Sequence, residues 1–334
     1  MKKMRRLLLT AFLLLTSTTT WAGEITVQDQ AGRKVVIQQP VERVITTFIP
    51  ATICAMSAGL KDKLVGASSK DETSSIYEVL INKENPPILV GNRTVGLNLE
   101  TISSLQPDLV IMYGQKDGVR TAERLTALGF PAIIIKPETL LDMQKSMELI
   151  GLAAGQEAHT NKVVAAMSKI EKKVTAHVKG KGMPSVYYAT SDLLRTVSGD
   201  MLQNEMIGLA GGRNVSEQTK GFFVNISKEQ LSAWNPEIII CSDRLAPKEL
   251  DRINLAEFVD ISARKTKRIY RIPEDTYWDF PSPLAMAGVL WMSNRVHPEV
   301  YSEREVEKEI AQFYDTLFGD GFAEKYPKVI GKEM

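Results

Sequence analysis

The residues of this sequence whose types and spacing could do chemistry are arginines and aromatics set at the ends of short apolar runs. They stand at Arg93-Thr94, Tyr113, Arg195, Phe222-Phe223 and Tyr277-Trp278-Asp279-Phe280, with Pro50 to Thr52 in a similar place. A guanidinium presents a planar, two-pronged donor set to carboxylate, catecholate or oxyanion oxygens, and Tyr or Trp joins a large apolar face to a polar tip. That combination suits an anionic ligand held by Arg93 and Arg195 over an aromatic floor. Core packing is the competing reading for Tyr113, Phe222 and Trp278, and a solvated surface position for each Arg. Trp234 and Trp291 sit in apolar helical stripes and read as core.

Catalysis has no comparable support. The chain contains no Gly-x-Ser-x-Gly, no Walker loop and no Gly-x-Gly-x-x-Gly after a strand, and Gly208 to Gly212 ends a helix rather than opening one. His159, His177 and His297 form no spaced ligand set, so no direct metal site is expected. Cys54 and Cys241 fall in different halves and read as buried small hydrophobes, too few for a metal cluster. The expectation is a binding protein rather than an enzyme, without a cofactor of its own.

A net charge of +1 over 334 residues argues against nucleic acid as partner and leaves the electrostatics local. Met1 to Ala22 has a basic start, an apolar run from Leu7 to Leu15 and small or polar residues up to Ala22. This is the plan of a secretory signal peptide cleaved near Ala22, too short in its apolar run to span a membrane. A soluble exported protein, without stable membrane insertion, is expected.

What must position the candidate residues is organised around one long helix, 158–179. Val163, Val164, Met167, Ile170, Val174 and Val178 recur at three- and four-residue steps on an otherwise polar rod. The same phrase stands on both sides of it. Asn98-Leu-Glu100-Thr-Ile102-Ser-Ser-Leu105-Gln-Pro107-Asp108 precedes an apolar run, and so does Ser227-Lys-Glu229-Gln-Leu231-Ser-Ala-Trp234-Asn-Pro236-Glu237. Strand and helix patterns alternate through both halves, for example strands at 64–67, 109–112, 132–135 and 185–189. The fold class is α/β, with two lobes of mainly parallel sheets flanked by helices and joined by one long rigid α-helix. The divisions are 1–22 for the signal peptide, 23–157 for the N-terminal lobe, 158–180 for the connecting helix and 181–334 for the C-terminal lobe.

The paired phrases, Asp29-x-x-Gly32-Arg33 with Pro40-x-x-Arg43-Val44, Ser198-Gly199 with Gly211-Gly212-x-Asn214-Val215, and Trp278 with Ser282-Pro283 occur in one order along the chain. Together they resemble the periplasmic substrate-binding proteins of ABC importers for cobalamin and ferric siderophores, over nearly all of the exported chain. The resemblance implies two α/β lobes on a single helix, with ligand between the lobes. It also implies that Glu100 and Glu229 meet arginines of an inner-membrane permease dimer, which works with its ATPase. Aromatics that line the cleft in cobalamin-binding relatives align with Thr94, Tyr113 and Tyr277. Thr94 departs from that pattern and has Arg93 beside it, which weakens the cobalamin reading, and a ferric siderophore-like chelate is the expected ligand. The expected ligand contacts are Arg93, Thr94, Tyr113, Arg195, Phe222, Tyr277 and Trp278. Molybdate or tungstate, and then cobalamin, are the alternative cargoes, and the receptor is expected to be a periplasmic monomer.

Overall fold

The structure is a computed structural model that describes residues 23–67, 75–81, 84–92, 96–114 and 117–332. The expected signal peptide therefore lies outside the described residues, as do Arg93 and Thr94.

The described chain opens with an antiparallel hairpin, β1 (Glu24–Gln28) and β2 (Lys34–Gln38). Asp29 makes its turn: Oδ1 accepts the N–H groups of Ala31 and Arg33 at 3.0 and 2.9 Å, while Gly32 takes φ +81°. Next come β3 (Val44–Thr46), α1 (Ile49–Ser57), β4 (Leu64–Ala67), α2 (Ser75–Leu80) and β5 (Ile88–Leu89). A small hairpin, β6 (Gly91–Asn92) and β7 (Gly96–Leu97), leads to α3 (Leu99–Ser104) and β8 (Leu109–Tyr113). The lobe continues with α4 (Gly118–Ala127), β9 (Ala132–Ile135) and α5 (Leu140–Ala154). Its five-stranded sheet has the order β5-β4-β3-β8-β9, every neighbouring pair parallel.

Every residue of β8 and β9 is buried, as expected of parallel strands covered on both faces. The faces differ by the period of two. Leu109, Ile111 and Tyr113 point into a core with α1 and α5, whereas Val110 and Met112 pack with Ile102 of α3 and Leu125 of α4. The sequence reading assigns no element to 140–154, yet α5 is well signalled. Thr139 Oγ1 accepts the Asp142 N–H at 3.0 Å, and Gly155 ends the helix at φ +64°.

The spine is α6 (Glu157–Val178), 22 residues. Val163, Met167, Ile170 and Val174 are buried and Val164 and Val178 partly so, which confirms the stripe. Helix α6 packs on α5 on one side. On the other it meets α7 (Leu202–Leu209), α11 (Ala285–Val296) and α12 (Glu303–Phe318). At 1.5 Å per residue its length is about 33 Å, enough to brace both bodies.

The C-terminal lobe repeats the plan. Strands β10 (Ser185–Ala189), β12 (Arg213–Asn214), β14 (Ile238–Cys241) and β15 (Ile269–Arg271) form a parallel sheet of order β12-β10-β14-β15. An antiparallel ladder of β11 (Arg195–Val197) and β13 (Phe223–Asn225) stands beside it, where the sequence suggests a plain loop. Helix α8 (Lys228–Trp234) follows β13, and two short helices, α9 (Pro247–Asp251) and α10 (Ser262–Lys265), lie between β14 and β15. Val186, Tyr188, Ile238 and Ile240 share a core with the spine, and Tyr187, Ile239 and Cys241 fill a separate one behind. The core on the spine side is continuous through both lobes. The chain ends in α13 (Phe322–Lys325) and a last helical turn, Pro327–Ile330, which packs on α2 while α12 reaches α1.

Candidate functional site

In parallel sheets the loops beyond the C-terminal strand ends are the natural binding surface. In the N-terminal lobe these loops carry Phe48, Tyr113 and Glu138. The Phe48 and Tyr113 rings meet edge to face at 5.3 Å, and the Tyr113 hydroxyl donates to Glu138 Oε1 at 2.7 Å. Tyr113 is thus a mostly buried ring fixed at its polar tip.

In the C-terminal lobe the strand ends hold Thr190, Ser242-Asp243-Arg244 and the 277–280 loop. Tyr277 adopts φ +54°, a left-handed conformation that turns the chain between Thr276 and Trp278, and its ring meets Phe280 at 5.1 Å. On the Phe280 ring lies the Arg244 guanidinium, 4.1 Å from the centroid. Arg195 opens β11. Its carbonyl is tied to the end of β10 by the Thr190 N–H at 2.9 Å, and its guanidinium lies over Phe223 at 4.8 Å. Neither guanidinium hydrogen-bonds a carboxylate among the described residues. Both are arginines held by aromatic faces with their donors open, the arrangement that cation–π contact permits and an ion pair would consume.

The two rims meet at the base. Glu205 on α7 accepts the Leu140 N–H, at the start of α5, through Oε2 at 2.8 Å. Burial raises the Glu205 carboxyl above its ordinary range, and the Leu140 hydrogen bond opposes this. Two residues earlier on α7, Gln203 Nε2 donates to the Asp279 carbonyl at 2.7 Å. The start of α5, the start of α7 and the 277–280 loop are therefore one bonded unit.

Tyr113, Arg195 and Tyr277 stand at these strand-end loops. Phe222, 66 % exposed, is at the tip of the β11–β13 ladder beside Phe223. Trp278 is a correction. It is 2 % exposed, its Nε1 donates to Tyr314 Oη at 3.0 Å, and its ring lies against Gly331. Trp278 therefore belongs to the core under α12, and the expected contact Tyr277, 6 % exposed, packs in the same core. Sequence reasoning missed Arg244. Its signal was available: it lies just past the apolar run Ile238 to Cys241, where the strand-end rule points.

Glu100 and Glu229 are exposed and each is the second residue of its helix. Asn98 Oδ1 accepts the Thr101 N–H at 3.0 Å, and Ser227 Oγ the Gln230 N–H at 3.1 Å. Its own N–H and the Ser227 hydroxyl hold the Glu229 carboxyl below its ordinary value, so it stays ionised. The histidines take backbone partners: His159 Nε2 lies 2.9 Å from the Ser57 carbonyl, His177 Nδ1 2.7 Å from Lys173, and His297 Nε2 3.2 Å from Gly211. Among the described residues no group of three or more His, Cys, Asp or Glu side chains could hold a metal ion. Cys54 and Cys241 are buried and unpaired, and burial raises both thiols to about 12.

Known proteins share this architecture. The molybdate-binding protein MolA of Haemophilus influenzae is 22% identical over 95% of this chain and 97% of its own. A vitamin B12-binding protein of Vibrio parahaemolyticus is 27% identical over 61% of this chain and 72% of its own. The crystal structure of a periplasmic solute binding protein from Veillonella parvula superposes with a TM-score of 0.79 at 25% identity, covering 92% of this chain and 97% of that one. Residues 45–276, most of the chain, match the model of the periplasmic binding protein family, and the protein belongs to that family.

Proposed function

We propose that this protein captures an anionic metal chelate of the ferric siderophore kind between its lobes and delivers it to an inner-membrane ABC permease. The observation that carries the reading is the pair of open guanidinium groups, Arg195 on Phe223 and Arg244 on Phe280. Each offers a two-pronged donor set beside a flat apolar face, which matches the oxygen-rich, ring-bearing surface of such a chelate. Arg93 and Thr94, which lie outside the described residues, are proposed as ligand contacts as well. Glu100 and Glu229 are the docking carboxylates, one on each lobe. The protein acts as a monomer and needs no cofactor of its own.

The test is calorimetric titration of the exported chain with ferric catecholate, hydroxamate and carboxylate chelates, cobalamin and molybdate. The proposal expects saturable binding of one chelate class, weakened about ten- to a hundredfold by Arg244→Ala and by Arg195→Ala, as for loss of a charge-assisted contact worth about 1.5–3 kcal/mol. Binding confined to cobalamin, with no loss in either variant, would refute it. Molybdate is the second reading, favoured by the likeness to a molybdate-binding protein along 95% of the chain. An oxyanion would use the same arginines with backbone N–H groups at helix starts, and would leave the aromatic faces without a role.

A further inference from the structure

Beneath Arg244 two carboxylates are held by one hydroxyl. Ser242 Oγ lies 2.6 Å from Asp279 Oδ2 and 3.3 Å from Asp243 Oδ1. A serine hydroxyl has one proton to donate, so it cannot serve as donor to both. Asp279 is 6 % exposed; its Oδ2 also accepts the Tyr188 hydroxyl at 2.8 Å, while its Oδ1 is buried with no partner among the described residues. No cation hydrogen-bonds either carboxylate among the described residues. Arg244 lies on Phe280, and Arg271 spends Nη1 on Glu274 and Nη2 on the Asp243 carbonyl, at 2.6 Å each.

The surroundings weigh the same way. From β10 comes the neutral phenol Tyr188, and from α7 the neutral amide Gln203. Cys241 and Arg244 belong to β14 and its end, and Arg271, Glu274 and Asp275 to β15 and the loop after it. Arg271 is shared with Glu274 and Arg244 lies on the Phe280 face, so a second charge on the half-buried Asp243, beside the buried Asp279, would have no cation bonded to it among the described residues. Like charges in a poorly solvated site do not both ionise when a shared proton can sit between them.

We propose that Asp243, Ser242 and Asp279 form a proton-holding relay under the C-terminal face of the cleft. Asp243 carries the proton and donates it to Ser242 Oγ, and Ser242 donates its own to Asp279 Oδ2. Burial and the neighbouring Asp279 charge raise the Asp243 carboxyl to about 6, which agrees with this geometry. Loss of the proton places a second negative charge beneath Arg244 and lowers its hold on an anion. That consequence rests on the anion-binding reading, whereas the proton itself does not.

The experiment is a carboxyl carbon NMR titration of the ligand-free protein with labelled aspartate. One signal, identified by its loss in Asp243→Asn, is expected to titrate near 6 and to fall toward the ordinary 3.8 in Asp279→Asn. Ser242→Ala, which removes the bridge while keeping both acids, is expected to shift the same signal. An Asp243 midpoint in the ordinary range, or one unmoved by Asp279→Asn in a folded variant, would overturn the relay. Because no ligand is present, failure of every chelate to bind would count against the ligand class and leave this result intact.

Discussion

Asp108 and Glu237 do the same work in the two lobes. The Asp108 carboxylate accepts the N–H groups of Glu42 and Arg43 at 2.8 Å each, and the Glu237 carboxylate accepts that of Ser185 at 2.8 Å. In both cases the acid begins one strand and caps the start of its neighbour. Each follows a proline and a left-handed residue, Gln106 at φ +45° and Asn235 at φ +43°. Charge-assisted bonds of this kind are worth about 1.5–3 kcal/mol. Asp108→Ala and Glu237→Ala should each lower stability by about 2 kcal/mol in denaturant melts. Because the sites lie in separate lobes, the double variant should show the sum.

These two residues also show how much was legible. The repeated phrase fixes a cap, an acid in the first turn and an acid before the strand, and all three reappear in the structure because each is local backbone chemistry. The long helix was readable from a strict period, and strands such as 132–135 and 185–189 from continuous apolar runs. Tertiary relations were not. The burial of Trp278 depends on Tyr314 of α12, 36 residues on. The stacking of Arg244 on Phe280 joins two loops that no spacing rule connects.

If Glu100 and Glu229 are the docking carboxylates, as proposed, docking and ligand capture separate at these two residues. Glu100 and Glu229 sit at the second positions of their helices, where the positive helix end favours a carboxylate, and both are exposed. Glu100→Ala with Glu229→Ala should leave chelate affinity within about twofold and abolish uptake in cells. Loss of binding by the purified double variant would assign the glutamates to the ligand instead.

The carboxyl of Asp243 sets a direction for pH dependence. Its value in the folded protein, about 6, lies above the ordinary 3.8, so the folded state binds this proton more tightly than the unfolded chain. Its contribution to stability is full below pH 3.8 and is lost as pH rises through 6. Melting temperatures of wild type relative to Asp243→Asn should therefore fall across that window and run parallel above it. Capture of an anionic chelate should weaken in the same direction, by about tenfold between pH 5 and pH 8, equivalent to about 1.4 kcal/mol. A binding profile that stayed flat while the melting profile moved would separate the proton from the cleft.

Closure on ligand should be small. A hinge needs residues that absorb large backbone changes, and the connection here is one unbroken helix whose buried stripe packs on α5 at one side and on α7, α11 and α12 at the other. Two further ties cross between the lobes: the Leu140 N–H bond to Glu205, and the packing of α12 on α1. Opening by tens of degrees would break that bond and expose part of a core that runs through both lobes, at about 25 cal/mol for each Å² of apolar surface. Small-angle scattering with and without bound chelate should give radii of gyration that agree within about 0.5 Å for a chain of this size, whose compact radius is about 20 Å. Glu205→Gln keeps the shape and weakens the tie across the base, so any residual closure should grow in that variant. A large ligand-induced contraction in wild type would mean that the spine bends, and amide exchange along α6 would then be fastest at the bend.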